Sequence, residues 1–253
     1  MAKILIDKIR QLNEQMSINR KERRFQKKIK KYDKDSQVTM LAVKDFTMVS
    51  PDRLYSLIEA VRYVNRHNIE GAMVECGVWR GGAVMAAILT CKQNGVSDRE
   101  FFLYDTFSGM TKPTETDKAL KGAANPLEIF DMRKTGEDSS DWCLAGLDEV
   151  KVNLAATSYD SNKIYYIQGK VEETIPGELP SKISILRLDT DWYESTKHEM
   201  THLFPRLSPK GVLIIDDYNT WSGSRQAVDE YFSSENISMF LMTLGDSAIG
   251  VKP

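Results

Sequence analysis

The chain has 253 residues, 42% of them apolar, with 34 basic and 36 acidic side chains and a net charge of −2, which fits one large α/β domain with an added N-terminal element. The balanced charge excludes a generally basic nucleic-acid binder, and no apolar run is long enough to span a bilayer, so neither nucleic acid nor a membrane is expected as a partner. Cys76, Cys91 and Cys143 form no C-x-x-C pair, and with no signal peptide in view they predict reduced thiols in a cytoplasmic protein.

Residues 1–36 differ from the rest. Ile9, Leu12 and Met16 fall on one helical stripe, and Arg20 to Lys31 then carries eight basic residues and one acid. This is read as a basic helical arm, with the main domain over 37–253. Such an arm either binds an acidic partner or a membrane surface, or packs on its own subunit or a neighbour. The second reading is preferred because the run is short and the overall charge balanced, and with a neighbour it implies a homo-oligomer. Gln37 to Ser50 is expected to be irregular or lightly stranded. Ser50 and Pro51 then open an amphipathic helix through Leu54, Leu57, Ile58, Val61 and Val64.

Ala72 to Val74 reads as a short strand with Glu75 at its tip. A tight turn follows at Cys76 and Gly77, and Gly81–Gly82 lead into the helix AVMAAILTC. Glycines there allow close approach of a ligand, and a helix N-terminus favours an anionic group. The stretch is not G-x-G-x-x-G, so the dinucleotide fingerprint is absent. The strand FFLY ends at Asp105, whose carboxylate can accept hydrogen bonds from both hydroxyls of a ribose. The alternative is an ordinary helix cap.

Phe107 to Leu147 is long and polar, the mark of a functional loop or lid. Trp142 within it either stacks on an adenine, lines a substrate pocket, or anchors the loop. Leu147 to Ala155 is expected to be a helix and Ile164 to Ile167 a strand ending at Gln168–Gly169. A short polar helix follows, stopping near Pro176.

Ile183 to Leu188 alternates apolar and polar residues and delivers Asp189 and Asp191 at its tip. Helical spacing follows at Met200, Leu203, Phe204 and Leu207. Val212 to Ile215 is a wholly apolar run of the buried parallel kind, ending at Asp216 and Asp217. Two neighbouring strands with acids at the same edge bring several hard oxygens together, which suits Mg²⁺ or another hard divalent ion. Capping and turn roles are the alternative, above all for Asp191, which could cap the next helix. Arg225 to Phe232 is helical, and the chain ends in a hairpin turning at Gly245–Asp246.

MVECGVWRGGA, YDTFSGM, LRLDTDWYEST and PRLSPKGVLIIDDYN, in this order, resemble the macrocin O-methyltransferase family, as does TMVSPDRLYSLIEAVRYV. The resemblance runs from about Thr47 to the end, some four fifths of the chain, and leaves the arm uncovered. It implies a Rossmann-like, class I methyltransferase fold: a mostly parallel sheet with a C-terminal antiparallel hairpin, helices on both faces and an extra N-terminal helical arm. It implies S-adenosylmethionine and Mg²⁺ as cofactors, and methyl transfer to a sugar or phenol hydroxyl of a small natural-product acceptor. The implied cofactor set is Glu75, Gly77, Val78, Gly81, Asp105, Ser108, Trp142, Gln168, Gly169 and Asp189. Glu75, Gly77 and Gly81 face the methionine part and Asp105 the ribose. Asp189, Asp216 and Asp217 match the family's metal acids. Catechol O-methyltransferases are similar in layout but place a Lys three residues after the first metal acid, where this chain has Trp192. Asp189 is the first choice for the base and Asp191 the second. A Rossmann-like oxidoreductase, or a non-catalytic adaptor using the arm, are the other classes considered. The missing fingerprint argues against the first and the intact acids against the second.

Overall fold

The computed structural model describes residues 20, 22–120, 122 and 124–253. The expected stripe at Ile9, Leu12 and Met16 lies outside them. Among the described residues, seven strands form one sheet: β1 (Ala72–Cys76), β2 (Phe101–Asp105), β3 (Ile164–Gln168), β4 (Ile183–Leu188), β5 (Leu207–Ile215), β6 (Leu241–Leu244) and β7 (Ser247–Val251). Their order is β3-β2-β1-β4-β5-β7-β6. β1 to β5 are parallel, and β7 runs antiparallel between β5 and β6. The expected terminal hairpin is present, with Gly245 and Asp246 at its turn.

Side-chain alternation along the strands divides the core in two. Met73, Phe101, Leu103, Ile185, Val212 and Ile214 face one side. There they pack with α1 (Lys34–Val43), α2 (Pro51–Arg66), α3 (Gly82–Gln93) and α5 (Leu147–Ala155). Ala72, Val74, Phe102, Leu186, Leu213 and Ile215 face the other, with α6 (Val171–Thr174), α7 (Tyr193–His202) and α8 (Ser222–Ser234). Every residue of β1 and β4 is buried, as a central parallel strand requires. Hence the apolar–polar alternation of β4 does not mark a solvent face: Ser184 is buried and donates to the Ala72 carbonyl at 3.1 Å.

Three elements depart from expectation. Residues 37–50 are irregular only from Lys44 onward, because α1 covers Lys34–Val43. Its apolar residues lie on both sides, with Met40 and Val43 buried but Val38 and Leu41 exposed, so no clean period shows. The helix after Asp191 ends at His202; Pro205 sits in a 3-10 turn and β5 already begins at Leu207. The long stretch after Phe107 holds a further helix, α4 (Pro126–Arg133), opened by Asn125 and Pro126.

The C-terminal end of the basic arm is helical over residues 22–29 and docks on its own chain. Ile29 is buried in the first core, and Tyr32 stacks on Tyr55 with ring centroids 4.4 Å apart. Asp33 then caps α1: it accepts from the Ser36 N–H at 3.0 Å and from both Arg62 terminal nitrogens at 2.8 and 2.9 Å. Asp33→Ala is expected to cost about 1–2 kcal/mol in urea unfolding, the range of a lost N-cap. A loss below about 0.3 kcal/mol would mean that this cap does not anchor α1.

Candidate functional site

The strand order reverses between β1 and β4, and a crevice opens there beyond the carboxyl ends of the strands, where open α/β sheets bind ligands. It holds a cavity of about 310 Å³ lined by Glu75, Gly77, Val78, Asp105, Trp142, Gly169, Asp189, Asp191, Asp216 and Asp217 among others. Most of the residues singled out in the sequence therefore converge. Three do not line it. Ser108 and Gln168 are exposed beside it. Gly81 packs its turn on α5, where a β-carbon would lie 2.5 Å from Leu154 Cδ1.

Gly77 is required by geometry. Its φ is +82°, and a β-carbon there would fall 2.1 Å from the Asp189 carbonyl oxygen. Its N–H donates to the Tyr104 carbonyl at 2.8 Å, so this one residue ties together the tips of β1, β2 and β4. Asp105 stitches two loops. Its Oδ2 accepts from the N–H groups of Val78 and Trp79 at 2.6 and 3.0 Å, and its Oδ1 from Phe107 at 2.6 Å. Burial raises its pKa, and these three backbone donors oppose the rise.

Arg187, which the sequence reading passed over, sits at the centre of the site. It is 4% exposed, on β4 directly across from Glu75 on β1. Its guanidinium contacts Glu75, lies 2.8 Å from Asp189 Oδ2 and 2.9 Å from Asp216 Oδ1. Asp216 also contacts Arg53 of α2. Burial pushes Glu75 up to about 7, with Arg187 opposing. Burial acts on Asp216 too, but Arg187 and Arg53 more than offset it and hold its carboxyl below the usual range.

The three carboxylates that converge are Asp189, Asp191 and Asp217, with one oxygen from each within 4.8 Å of the others. Asp216, expected among them, turns back toward the two arginines. Burial drives Asp189 and Asp191 well above the ordinary carboxylate range, and the neighbouring acids push the same way. Only Asp189 has a cation beside it; among the described residues neither Asp191 nor Asp217 has a salt-bridge partner. A convergent set of hard oxygens with excess negative charge fits a divalent cation. Asp191 does not cap the following helix. The Tyr193 N–H at that helix start donates instead to buried Asp117 Oδ1 at 2.7 Å. Asp191 itself stands at φ +72°, a conformation that costs a non-glycine residue about 1–3 kcal/mol.

The long loop is partly fixed. Residues 118–120 bond to 220–222, and Ser140 and Trp142 close its base against Met110. Trp142, Trp192 and Trp221 form an aromatic cluster with centroids 5.6–6.2 Å apart. Trp142 thus anchors the loop and lines the cavity at once.

The family model described as Macrocin-O-methyltransferase (TylF) matches residues 2–249, so the match includes nearly all of the arm. The mycinamicin III 3''-O-methyltransferase of Micromonospora griseorubida is 32% identical over 192 residues, covering 76% of this chain and 72% of that protein. The demethyldecarbamoylnovobiocin O-methyltransferase of Streptomyces niveus is 30% identical over 200 residues, covering 78% and 72%. The solved structure of the O-methyltransferase NovP superposes with a TM-score of 0.71 at 28% identity, covering 82% of each chain.

Removing one partner from a buried charge network leaves the others uncompensated. Arg187→Met is therefore expected to cost about 3–5 kcal/mol in chemical denaturation. A loss below about 1 kcal/mol would show that Glu75 and Asp216 do not depend on it.

Proposed function

The chain belongs to the macrocin-O-methyltransferase family and is an S-adenosylmethionine-dependent O-methyltransferase, and we propose that it methylates a sugar or phenol hydroxyl of a small natural-product acceptor beside a divalent ion, most simply Mg²⁺. The observation that carries the metal part is the convergence of Asp189, Asp191 and Asp217 without enough positive charge beside them. These three would hold the ion. S-adenosylmethionine supplies the methyl group as a sulfonium, which already carries its leaving group. A divalent ion supplies Lewis acidity that lowers the pKa of a neighbouring hydroxyl and orients it.

The chain's own residues do the rest. Glu75, Gly77, Val78 and Gly169 form the cofactor wall of the crevice. Asp105 shapes that wall through its three backbone bonds, and its Oδ1 keeps room for one ribose hydroxyl. Arg187 fixes Asp189 from behind, so Asp189 acts as a rigid ligand. That same guanidinium makes Asp189 the weaker proton acceptor. Among the described residues Asp191 has no arginine or lysine beside it, and we assign it the base's role in addition to a ligand's: it takes the hydroxyl proton as the methyl group moves. This reverses the order of preference drawn from sequence, where Asp189 came first. Trp142 and Trp221 enclose the acceptor side and keep water away from the reacting atoms.

Manganese titration in the presence of S-adenosylhomocysteine tests the ion site directly. One ion per chain is expected, with Asp217→Asn weakening it at least tenfold and leaving nucleoside affinity unchanged, since outer contacts alone shift metal affinity about 10–100-fold. Asp191→Asn should weaken it more than Asp216→Asn; the opposite order would give Asp216 the third ligand's place. With an acceptor of the kind the relatives methylate, Asp191→Asn is expected to lower turnover by about 10²–10⁴. Turnover that persists undiminished in chelator would remove the ion from the reaction.

A further inference from the structure

The turn that delivers Asp191 needs an anchor, and a buried side chain supplies one. The Trp192 N–H donates to the Thr190 carbonyl at 2.9 Å, with Asp191 at φ +72° between them. That is a γ-turn of the positive-φ kind, a rare and strained arrangement. Strain of this sort persists only where the surroundings over-determine it. The two ends are held by backbone and loop. The Asp189 N–H donates to the Cys76 carbonyl at 2.8 Å, and Trp192 Nε1 to the Thr111 carbonyl at 3.1 Å. Within the turn, Thr190 has its own anchor: its hydroxyl donates to Glu199 Oε1 at 2.9 Å.

Glu199 has no other evident task. It lies on α7, fully buried, and does not line the cavity. Its Oε2 has no hydrogen-bond partner, and the buried Cys76 thiol lies beside the carboxyl. Among the described residues no cation pairs with it. A buried acid in an apolar layer is costly, and a small hydrophobe would fill the space without that cost. The hydrogen bond that its Oε1 accepts comes from the residue between Asp189 and Asp191.

We propose that Glu199 and Thr190 are positioning residues: their hydrogen bond holds the γ-turn closed and so keeps the Asp191 carboxylate among those of Asp189 and Asp217. The proposal rests on the metal reading above. Burial also drives the Glu199 pKa up, which favours the neutral form, and an amide of the same shape keeps the oxygen that accepts from Thr190.

The test compares the full-length chain with Thr190→Val, Glu199→Leu and Glu199→Gln. Mn²⁺ affinity is read by electron paramagnetic resonance titration, S-adenosylhomocysteine affinity by calorimetry, and folding by thermal melting. Thr190→Val keeps shape and loses only the hydroxyl, so it carries the test even where Glu199→Leu fails to fold. Thr190→Val and Glu199→Leu are expected to weaken Mn²⁺ binding about 10–100-fold with nucleoside affinity unchanged, while Glu199→Gln binds Mn²⁺ as the unaltered protein does. Unaltered Mn²⁺ affinity in Thr190→Val, or equal loss in Glu199→Gln and Glu199→Leu, would overturn the positioning role and leave the metal reading standing. No Mn²⁺ uptake by the unaltered protein would overturn the metal reading itself, and the positioning role with it.

Discussion

One buried guanidinium sets the constraint from which the site is built. Arg187 sits in the middle of the sheet, 4% exposed, and faces carboxylates from three strands: Glu75 on β1, Asp189 past β4 and Asp216 past β5. A charge taken out of water at this depth is tolerated only when it is paired. Each carboxylate in turn needs the guanidinium. The alignment of β1, β4 and β5 at their carboxyl ends, the placing of Asp189 and the inward turn of Asp216 are therefore one electrostatic solution. Gly77 makes it sterically possible, because the tips of β1 and β4 approach too closely there for any side chain.

The network also divides the acids by role. Those that meet a guanidinium on the inner side serve structure. Those beyond its reach, Asp191 and Asp217, face the cavity with no salt-bridge partner among the described residues. Asp189 belongs to both groups, and it joins the rigid interior to the acidic edge. This division bears on how S-adenosylmethionine and the proposed ion relate. In the proposed reading the nucleoside wall runs from Glu75 and Asp105 and the ion's edge from Asp189 to Asp217, and Arg187 lies beneath the seam. Loss of charge at the edge should therefore be felt by the ion and not by the nucleoside.

Much of this was legible in the chain. Acids at the tips of short apolar runs, with a glycine turn after the first, place a ligand crevice at the sheet edge whatever the helices do. The C-terminal hairpin and the positions of β1, β2, β3 and β4 followed from the same runs. What was hidden has physical reasons. Arg187 occupies an alternating position that reads as a solvent face, and only burial on both sides of β4 makes it an interior ion. The partition between Asp191 and Asp216 depends on which way each carboxylate turns, and that is set by Arg53 from a distant helix and by a positive φ on a non-glycine residue. α1 has apolar residues on both of its sides and shows no period. Asp117 caps a helix 76 residues further on, beyond any local motif.

Three carboxylates at this edge are proposed to hold a divalent ion. Anomalous diffraction from crystals grown with Mn²⁺ and S-adenosylhomocysteine tests it most directly. One strong peak bonded to oxygens of Asp189, Asp191 and Asp217 is expected, with Asp216 still turned to Arg53 and Arg187. No peak at this edge, with the nucleoside in place, would contradict it.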